Sequence, residues 1–358
     1  MDPIQKPRAA TSRFRRLGYL YTHMEANVEN FHALLKSTSK AVIVMHRGPD
    51  GDAVGSSLGW SRLLRSVRIE TTVVAPDAPP RFLQWLPGAE DILVFEHHPD
   101  EVKAALAACD TVFCLDFNAP GRMGNAADAV TGAGKPIAVI DHHRFPADFA
   151  QHYYVDDTSC ATAEMIYRLS DELGWTNRID SDTATCLYTG LVTDTGSFRY
   201  SSVGPGVLRI AAALLDTGMD HIEIYNRIFD SNRLDQLKLK GYALSEKTVV
   251  TGNGNAAYIS LSEAELKRFH FHPGDTEGLV NYALGIEGVH IAAFFAEKDD
   301  LIKISLRSKG KIDVNELSRK HFGGGGHIHA AGGRSKLSLA ETIKKFEGIM
   351  ADLFAETV

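Results

Sequence analysis

Cysteine is scarce in this chain. Cys109, Cys114, Cys160 and Cys186 are the only four in 358 residues, and no two are spaced Cys-x-x-Cys. This excludes a disulfide-framed secreted domain and a thiolate metal knuckle, and with no secretory signal it leads to the expectation of reduced, mostly buried thiols in a cytoplasmic protein. No apolar run approaches the roughly 20 residues that a membrane-spanning helix needs, so no membrane partner is expected. A cationic excess is also missing. With 38 Lys and Arg against 45 Asp and Glu the formal net charge is -7, which gives no global attraction to a polyanion. Any polyanionic substrate must be gripped by a local cationic site, and long duplex nucleic acid is not an expected partner.

The length suits two domains. Residues 1–22 depart from the acidic whole: Lys6, Arg8, Arg13, Arg15 and Arg16 face a single acid, Asp2, and no hydrophobic segment accompanies them. They read as a basic, loosely ordered extension. From Met24 a helical pattern (Val28, Phe31, Leu34, Leu35) leads into Ala41 to Met45, a short apolar run ended by a Gly-Pro turn signal, which reads as a buried strand.

The loop after that strand carries His46, Asp50 and Asp52, with Gly48, Pro49 and Gly51 between them to bend the backbone. Two carboxylates this close repel unless a proton or a cation sits between them, and a neighbouring imidazole extends the ligand set for a divalent metal. The segment AVGSSLGWSRLLRSV then reads as a helix whose N-terminus faces the loop. Strands at Thr71 to Ala75 and Ile92 to Phe95 alternate with helices around Phe82 to Leu86 and from Asp100 to Ala108. This alternation predicts an α/β fold with a mainly parallel sheet and helices on both faces, where ligands collect beyond the carboxyl ends of the strands.

The polar residues obey that rule. TVFCL (Thr111 to Leu115) delivers Asp116 and Asn118, Ile137 to Ile140 delivers Asp141, His142 and His143, and the apolar segment Cys186 to Val192 leads to Asp194. Asp50, Asp52, Asp116, Asp141 and Asp194 cannot share a crevice as bare anions. Two divalent cations remove the conflict, and a metal pair about 3.5–4 Å apart is a known device for in-line displacement at phosphorus. Mixed nitrogen and carboxylate ligands suit Mn2+, with Mg2+, Co2+, Zn2+ and Fe2+ as other occupants.

Downstream, polar helix-forming residues 231–247 read as a linker helix before a smaller C-terminal α/β domain. In that unit Val249, Ala257 to Ser260, Val289 to Phe295 and Ile302 to Arg307 read as strands, and Asp313 as the N-cap of the helix VNELSRKHF. Gly323, Gly324, Gly325 and Gly326 precede His327. By itself such a run is either a flexible hinge or a loop whose amides approach an oxyanion. The pair His97 and His98 reads as surface loop.

HRGPDGDAVGSS, LDFN at Asp116, DHH at Asp141 to His143, TDTGSF at Asp194 to Phe198, and GGGGHIHAAGG together resemble the DHH phosphoesterase family, most nearly its branch of small nanoRNases and pAp phosphatases. The resemblance spans about residues 24–350 and implies a DHH catalytic domain over 23–230 and a DHH-associated substrate-binding domain over 248–358. It implies His46, Asp50 and Asp116 on one metal, and Asp52, Asp116, His142 and Asp194 on the other, with Asp116 bridging. Asp141 would orient an imidazole, His143 would donate to the substrate phosphate or leaving oxygen, and Arg307, the glycine run and His327 would clamp a terminal phosphate or nucleotide. The implied activity is hydrolysis of short oligonucleotides, including dinucleotides such as pApA, to 5′-mononucleotides, and of pAp to AMP. The alternatives are a phosphoanhydride hydrolase of the pyrophosphatase or exopolyphosphatase type, a cyclic-dinucleotide phosphodiesterase, and a non-catalytic nucleotide-binding protein. Homodimerisation is left open.

Overall fold

The computed structural model describes residues 28–355; the basic extension expected over residues 1–22 lies outside them. The first helix, α1 (Val28–Ser37), leads into β1 (Lys40–Val44), as the apolar run requires. The elements α2 (Gly51–Ser66), β2 (Glu70–Ala75), β3 (Leu93–Val94), α3 (Pro99–Ala108), β4 (Thr111–Leu115), α4 (Ala127–Thr131), β5 (Ile137–Asp141) and β6 (His152–Val155) follow. The sheet has the order β3-β2-β1-β4-β5-β6, and every pairing is parallel. Strand order reverses between β1 and β4, so the crevice beyond their carboxyl ends is where such a fold admits a ligand.

Both faces of this sheet are covered, which is why its strands are continuously apolar instead of alternating. Ile43 and Met45 point into the larger core beneath α1 and α2, whereas Val42 and Val44 point into a second core with Val102 and Leu106 of α3. The helix expected around Phe82 is a single 3-10 turn, Arg81–Leu83. Pro79 and Pro80 precede it and Pro87 follows, which leaves no room for a longer helix.

After β6 the chain forms α5 (Thr162–Glu172), α6 (Ser181–Asp194), α7 (Pro205–Leu215), α8 (His221–Phe229) and α9 (Leu234–Glu246). The apolar segment ahead of Asp194 is helical. It packs on α2 through small residues spaced by four. An added Cβ at Gly55 would collide with the Cys186 carbonyl oxygen, and one at Gly59 would lie 2.6 Å from Leu187. On α6, a Cβ at Gly190 would lie 2.7 Å from both Ala163 and the Asp52 carboxylate. These absences of side chain let the two backbones approach closely.

The second sheet comprises β7 (Thr248–Thr251), β8 (Ala256–Leu261), β9 (Ile291–Lys298), β10 (Leu301–Ser308), β11 (Gly325–Gly326) and β12 (Ala330–Ser335), with α10 (Glu263–Arg268), α11 (Leu279–Leu284), α12 (Val314–His321) and α13 (Leu339–Ala355). Its order is β11-β12-β10-β9-β8-β7; β8 and β9 are parallel and the other pairs antiparallel. Asp313 caps α12 as its spacing predicts, its side chain accepting from the Glu316 amide at 3.0 Å. Among the described residues no helix is long and apolar enough to cross a membrane.

Candidate active site

Local chemistry sets up the first part of the site. Asp50 ends the turn after β1 and caps α2, its Oδ1 accepting from the Asp52 and Ala53 amides at 3.1 Å each. This fixes the loop so that His46 points inward, 5% exposed at its side chain, while Asp50 stays half-exposed at 54%. At the end of β4, Asp116 takes a left-handed backbone conformation with φ 66°, which an aspartate tolerates better than bulkier residues.

Asp116 is the hub of the site. Its Oδ2 lies 3.5 Å from His46 Nε2 and its Oδ1 3.4 Å from His142 Nε2. His46 Nε2 is also 3.8 Å from Asp50 Oδ1, and His142 Nε2 is 3.8 Å from Asp52 Oδ2 and 3.6 Å from Asp194 Oδ2. Two triads therefore share one carboxylate: His46, Asp50 and Asp116, and Asp52, Asp116 and His142, with the ligand-capable atoms of each within 4.8 Å of one another. Mixed imidazole and carboxylate donors at this spacing fit divalent cations such as Mn2+ or Zn2+.

Electrostatics agree with that fit. Burial and the charges of Asp116 and Asp194 push Asp52 well above the usual carboxylate range. Burial raises Asp194 to about 6, against the pull of His142 and with the help of Asp50 and Asp116. Burial opposes the charged form of Asp116 too, but hydrogen bonds with His142 and His46 hold it well below the ordinary value. His46, although buried, is raised to about 10 by Asp116 and Asp50. So many acids crowded into one crevice would be stabilised by cations, and binding those cations would release protons.

Asp141 and His143 form a separate pair. The carboxylate, fully buried, meets His143 Nδ1 at 2.7 Å, and its other oxygen has no partner among the described residues. The hydrogen bond fixes the ring so that Nε2 is left for the crevice. From the second sheet His327 joins this group, its ring centroid 4.5 Å from those of both His142 and His143.

Arg307 and the glycine run lie further along the second sheet. Arg307 is in register with Ala330 across β10 and β12, and the Ala330 carbonyl accepts from the His327 amide at 2.7 Å. Its Nη1 bonds the Leu306 carbonyl, and its Nε is buried without a partner. Two of the glycines do not fit the expectation of ligand-facing amides. The Gly324 amide donates to the Ser318 carbonyl at 3.3 Å and that of Gly326 to the Asn315 side chain at 3.0 Å. A Cβ at either would strike the β12 backbone. Gly324 and Gly326 are thus spent on packing α12 against β12, with Gly323 at φ 58° turning the chain into the run and Gly325 pairing with Gly332. The run leads directly into His327.

Sequence reasoning passed over three contributors. Thr162 Oγ1 donates to Asp116 Oδ1 at 2.9 Å, and the Thr162 and Ala163 amides hold the two Asp52 oxygens at 2.6 and 2.9 Å. These are buried first-turn amides of α5 that have no partner within the helix, and the small residues ahead of that amphipathic helix are the only sign of them in sequence. Arg122 is the third, close enough for its charge to act on His46 and His327. His97 and His98 lie on an exposed loop, His98 Nδ1 3.1 Å from Glu101.

Comparison with known proteins places the chain in a family. Residues 40–191 match the DHH family, N-terminal domain, and residues 253–353 match the DHHA1 domain. The chain is 34% identical over 300 residues to the bifunctional oligoribonuclease and PAP phosphatase NrnA of Thermus thermophilus, covering 82% of this chain and 83% of that one. It is 28% identical over 295 residues to the protein of the same name from Bacillus subtilis, covering 81% and 88%. Among solved structures, an exopolyphosphatase-related protein from Bacteroides fragilis superposes with a TM-score of 0.86 at 36% identity, covering 92% of this chain and 96% of that one. The chain belongs to the DHH phosphoesterase family, with a DHH domain followed by a DHHA1 domain, and it is a hydrolytic enzyme.

Proposed function

We propose that this enzyme is a two-metal phosphoesterase that hydrolyses short oligonucleotides, dinucleotides such as pApA among them, to 5′-mononucleotides and converts pAp to AMP. The observation that carries this reading is the sharing of Asp116 between two imidazole–carboxylate triads. His46, Asp50 and Asp116 would hold one cation, and Asp52, Asp116, His142 and Asp194 the other, with Mn2+ the best match to the donors. Bound there, the cations would polarise a phosphate oxygen and make water a better nucleophile near neutral pH.

The chain's own groups do the rest. His143, aligned by Asp141, donates a proton to the departing oxygen from Nε2. Burial and the charges of His142 and His143 lower His327 to about 2, so its ring stays neutral and offers one N–H to a phosphate oxygen. Arg307 supplies the fixed positive charge of the clamp. In domain terms, residues 23–230 would be catalytic, 231–247 the linker and 248–358 the substrate-binding unit. The names of the Thermus and Bacillus relatives support the substrate class.

The test is a manganese-dependent hydrolysis panel with pAp, a 5′-phosphorylated RNA dinucleotide, a long RNA, pyrophosphate and polyphosphate, with His142→Ala as the blank. Turnover of pAp and the dinucleotide with little on long RNA is the expected result. Turnover confined to pyrophosphate or polyphosphate would replace this reading with phosphoanhydride hydrolysis.

A further inference from the structure

Two residues past His143, Phe145 sits in a conformation that its side chain does not favour. Its φ is 58°, in the left-handed region where a bulky aromatic is an outlier, and the residue is 46% exposed. Neither local sequence nor burial explains this. The loop is held from outside: Asn118 Nδ2 donates to the Arg144 carbonyl at 2.6 Å, and the Ala147 amide donates to the Asn118 carbonyl at 2.7 Å. Strain retained by surrounding bonds at a catalytic loop is a sign of use.

The ring is flanked by cations from both halves of the chain. The Arg144 guanidinium lies 4.9 Å from its centroid, and that of Arg319, on α12, lies 5.1 Å away. The two arginines differ in their remaining partners. Arg144 is tied to Asp157 at 3.6 Å and to Asp313 at 3.4 Å. Arg319 is exposed and has no acidic partner among the described residues. A half-exposed ring covered by a guanidinium that has no acidic partner can exchange that cation for a nucleobase, the displaced guanidinium then meeting the nucleotide's phosphate.

Position sets which nucleotide could reach it. Phe145 follows His143 by two residues, so their Cα atoms are at most about 7.6 Å apart. Asn315 and Ser318, four residues and one residue before Arg319 on the same helix, bond the Gly326 amide and the Gly332 carbonyl, and Gly326 immediately precedes His327. The pair therefore stands close to His143 on one side and to the helix that supports the His327 loop on the other.

We infer that Phe145 and Arg319 form a nucleotide subsite: the ring stacks on one base flanking the scissile linkage, and the guanidinium faces that nucleotide's phosphate. This rests on the nucleotide-hydrolase reading above. Because the ring comes from the DHH domain and the guanidinium from the DHHA1 domain, the subsite is complete only when both meet.

The test uses the full-length, manganese-loaded enzyme with a 5′-phosphorylated dinucleotide and its two singly abasic analogues. Phe145→Ala should raise KM for the intact dinucleotide about tenfold and leave kcat within about twofold. For one abasic analogue the substitution should have no effect, and Phe145→Trp should keep the wild-type KM. Arg319→Ala should raise KM for all three substrates alike. Rapid quenching of a 2-aminopurine dinucleotide on mixing with wild-type enzyme, lost in Phe145→Ala, would report the stack directly. An equal KM increase for all three substrates with Phe145→Ala, or none for any, overturns the subsite while leaving the hydrolase reading intact. A wild-type enzyme that does not cleave dinucleotides overturns both.

Discussion

The rings of His143 and His327 lie centroid to centroid at 4.5 Å with their planes 30° apart, although one follows β5 of the parallel sheet and the other precedes β12 of the second sheet. This contact makes the crevice a joint product of both sheets. His143 is aimed by Asp141, and His327 is kept neutral by burial beside two other imidazoles. Replacing His327 with Ala should lower kcat/KM for pAp by about 100-fold, the scale for losing one positioned donor. The side chain is half-buried and belongs to no hydrophobic core, which predicts a Tm change of only a few degrees. Steady-state kinetics with a thermal melt check this; unchanged kcat/KM would remove His327 from the site.

Thr162 should act through Asp116. Its hydroxyl donates at 2.9 Å to the same oxygen that approaches His142. Thr162→Val keeps the shape and removes the donor. Partners of this kind typically contribute 10–100-fold to metal affinity, so manganese binding should weaken by about that factor with little change in fold. Calorimetric titration of the metal measures it, and wild-type affinity in the variant would contradict the role.

Close packing of α2 on α6 positions Asp52, and it leaves no room at Gly55. Gly55→Ala would drive a methyl into the Cys186 carbonyl, and an overpacked core of this kind costs about 1–3 kcal/mol or more. Gly241 on α9 is the contrast: it is exposed and a Cβ there meets nothing within 4 Å. Gly241→Ala should stabilise by about 0.5–1 kcal/mol. Denaturant unfolding of the two variants should give opposite signs.

Much of this arrangement was legible because charge leaves a plain mark in sequence. His46, Asp116 and the tripeptide at Asp141 each follow an apolar strand, and a parallel sheet gathers such residues at one end. What was not legible lies in backbone groups and in glycine. Thr162 and Ala163 hold Asp52 through amides that every residue possesses, so composition cannot mark them. The strand β12, AAGGRS, has little strand propensity of its own and forms because β10 offers it a partner. The run Gly323 to Gly326 by itself reads as either a hinge or an oxyanion loop, whereas Gly324 and Gly326 are required by the approach of α12 to β12. Phe145 had no charge or periodicity to single it out.

Away from the crevice, Glu265 supplies a pH-dependent increment of stability. Its carboxylate accepts from Lys247 at 2.8 Å, Tyr242 at 2.6 Å and the Ser262 amide at 2.8 Å. Partial burial works against the charge, but these donors lower its pKa from 4.5 to about 2. A depressed carboxylate pKa stabilises the fold fully above the unfolded value and loses that contribution as pH falls from 4.5 towards 2. After allowance for solvent screening, Glu265→Gln should cost about 1 kcal/mol at pH 7, and the gap to wild type should shrink to about half at pH 3. Urea titrations at the two pH values test this, and a constant gap would contradict it.

The central claim is that Asp116 is shared by two cation positions, and metal stoichiometry tests it most directly. Wild-type protein and Asp116→Asn, each dialysed to equilibrium against Mn2+ and analysed for bound metal, should differ sharply. The account predicts two equivalents per wild-type chain and fewer than one in the variant, with circular dichroism unchanged. Two equivalents retained by Asp116→Asn, or a wild-type chain that binds none, would contradict it.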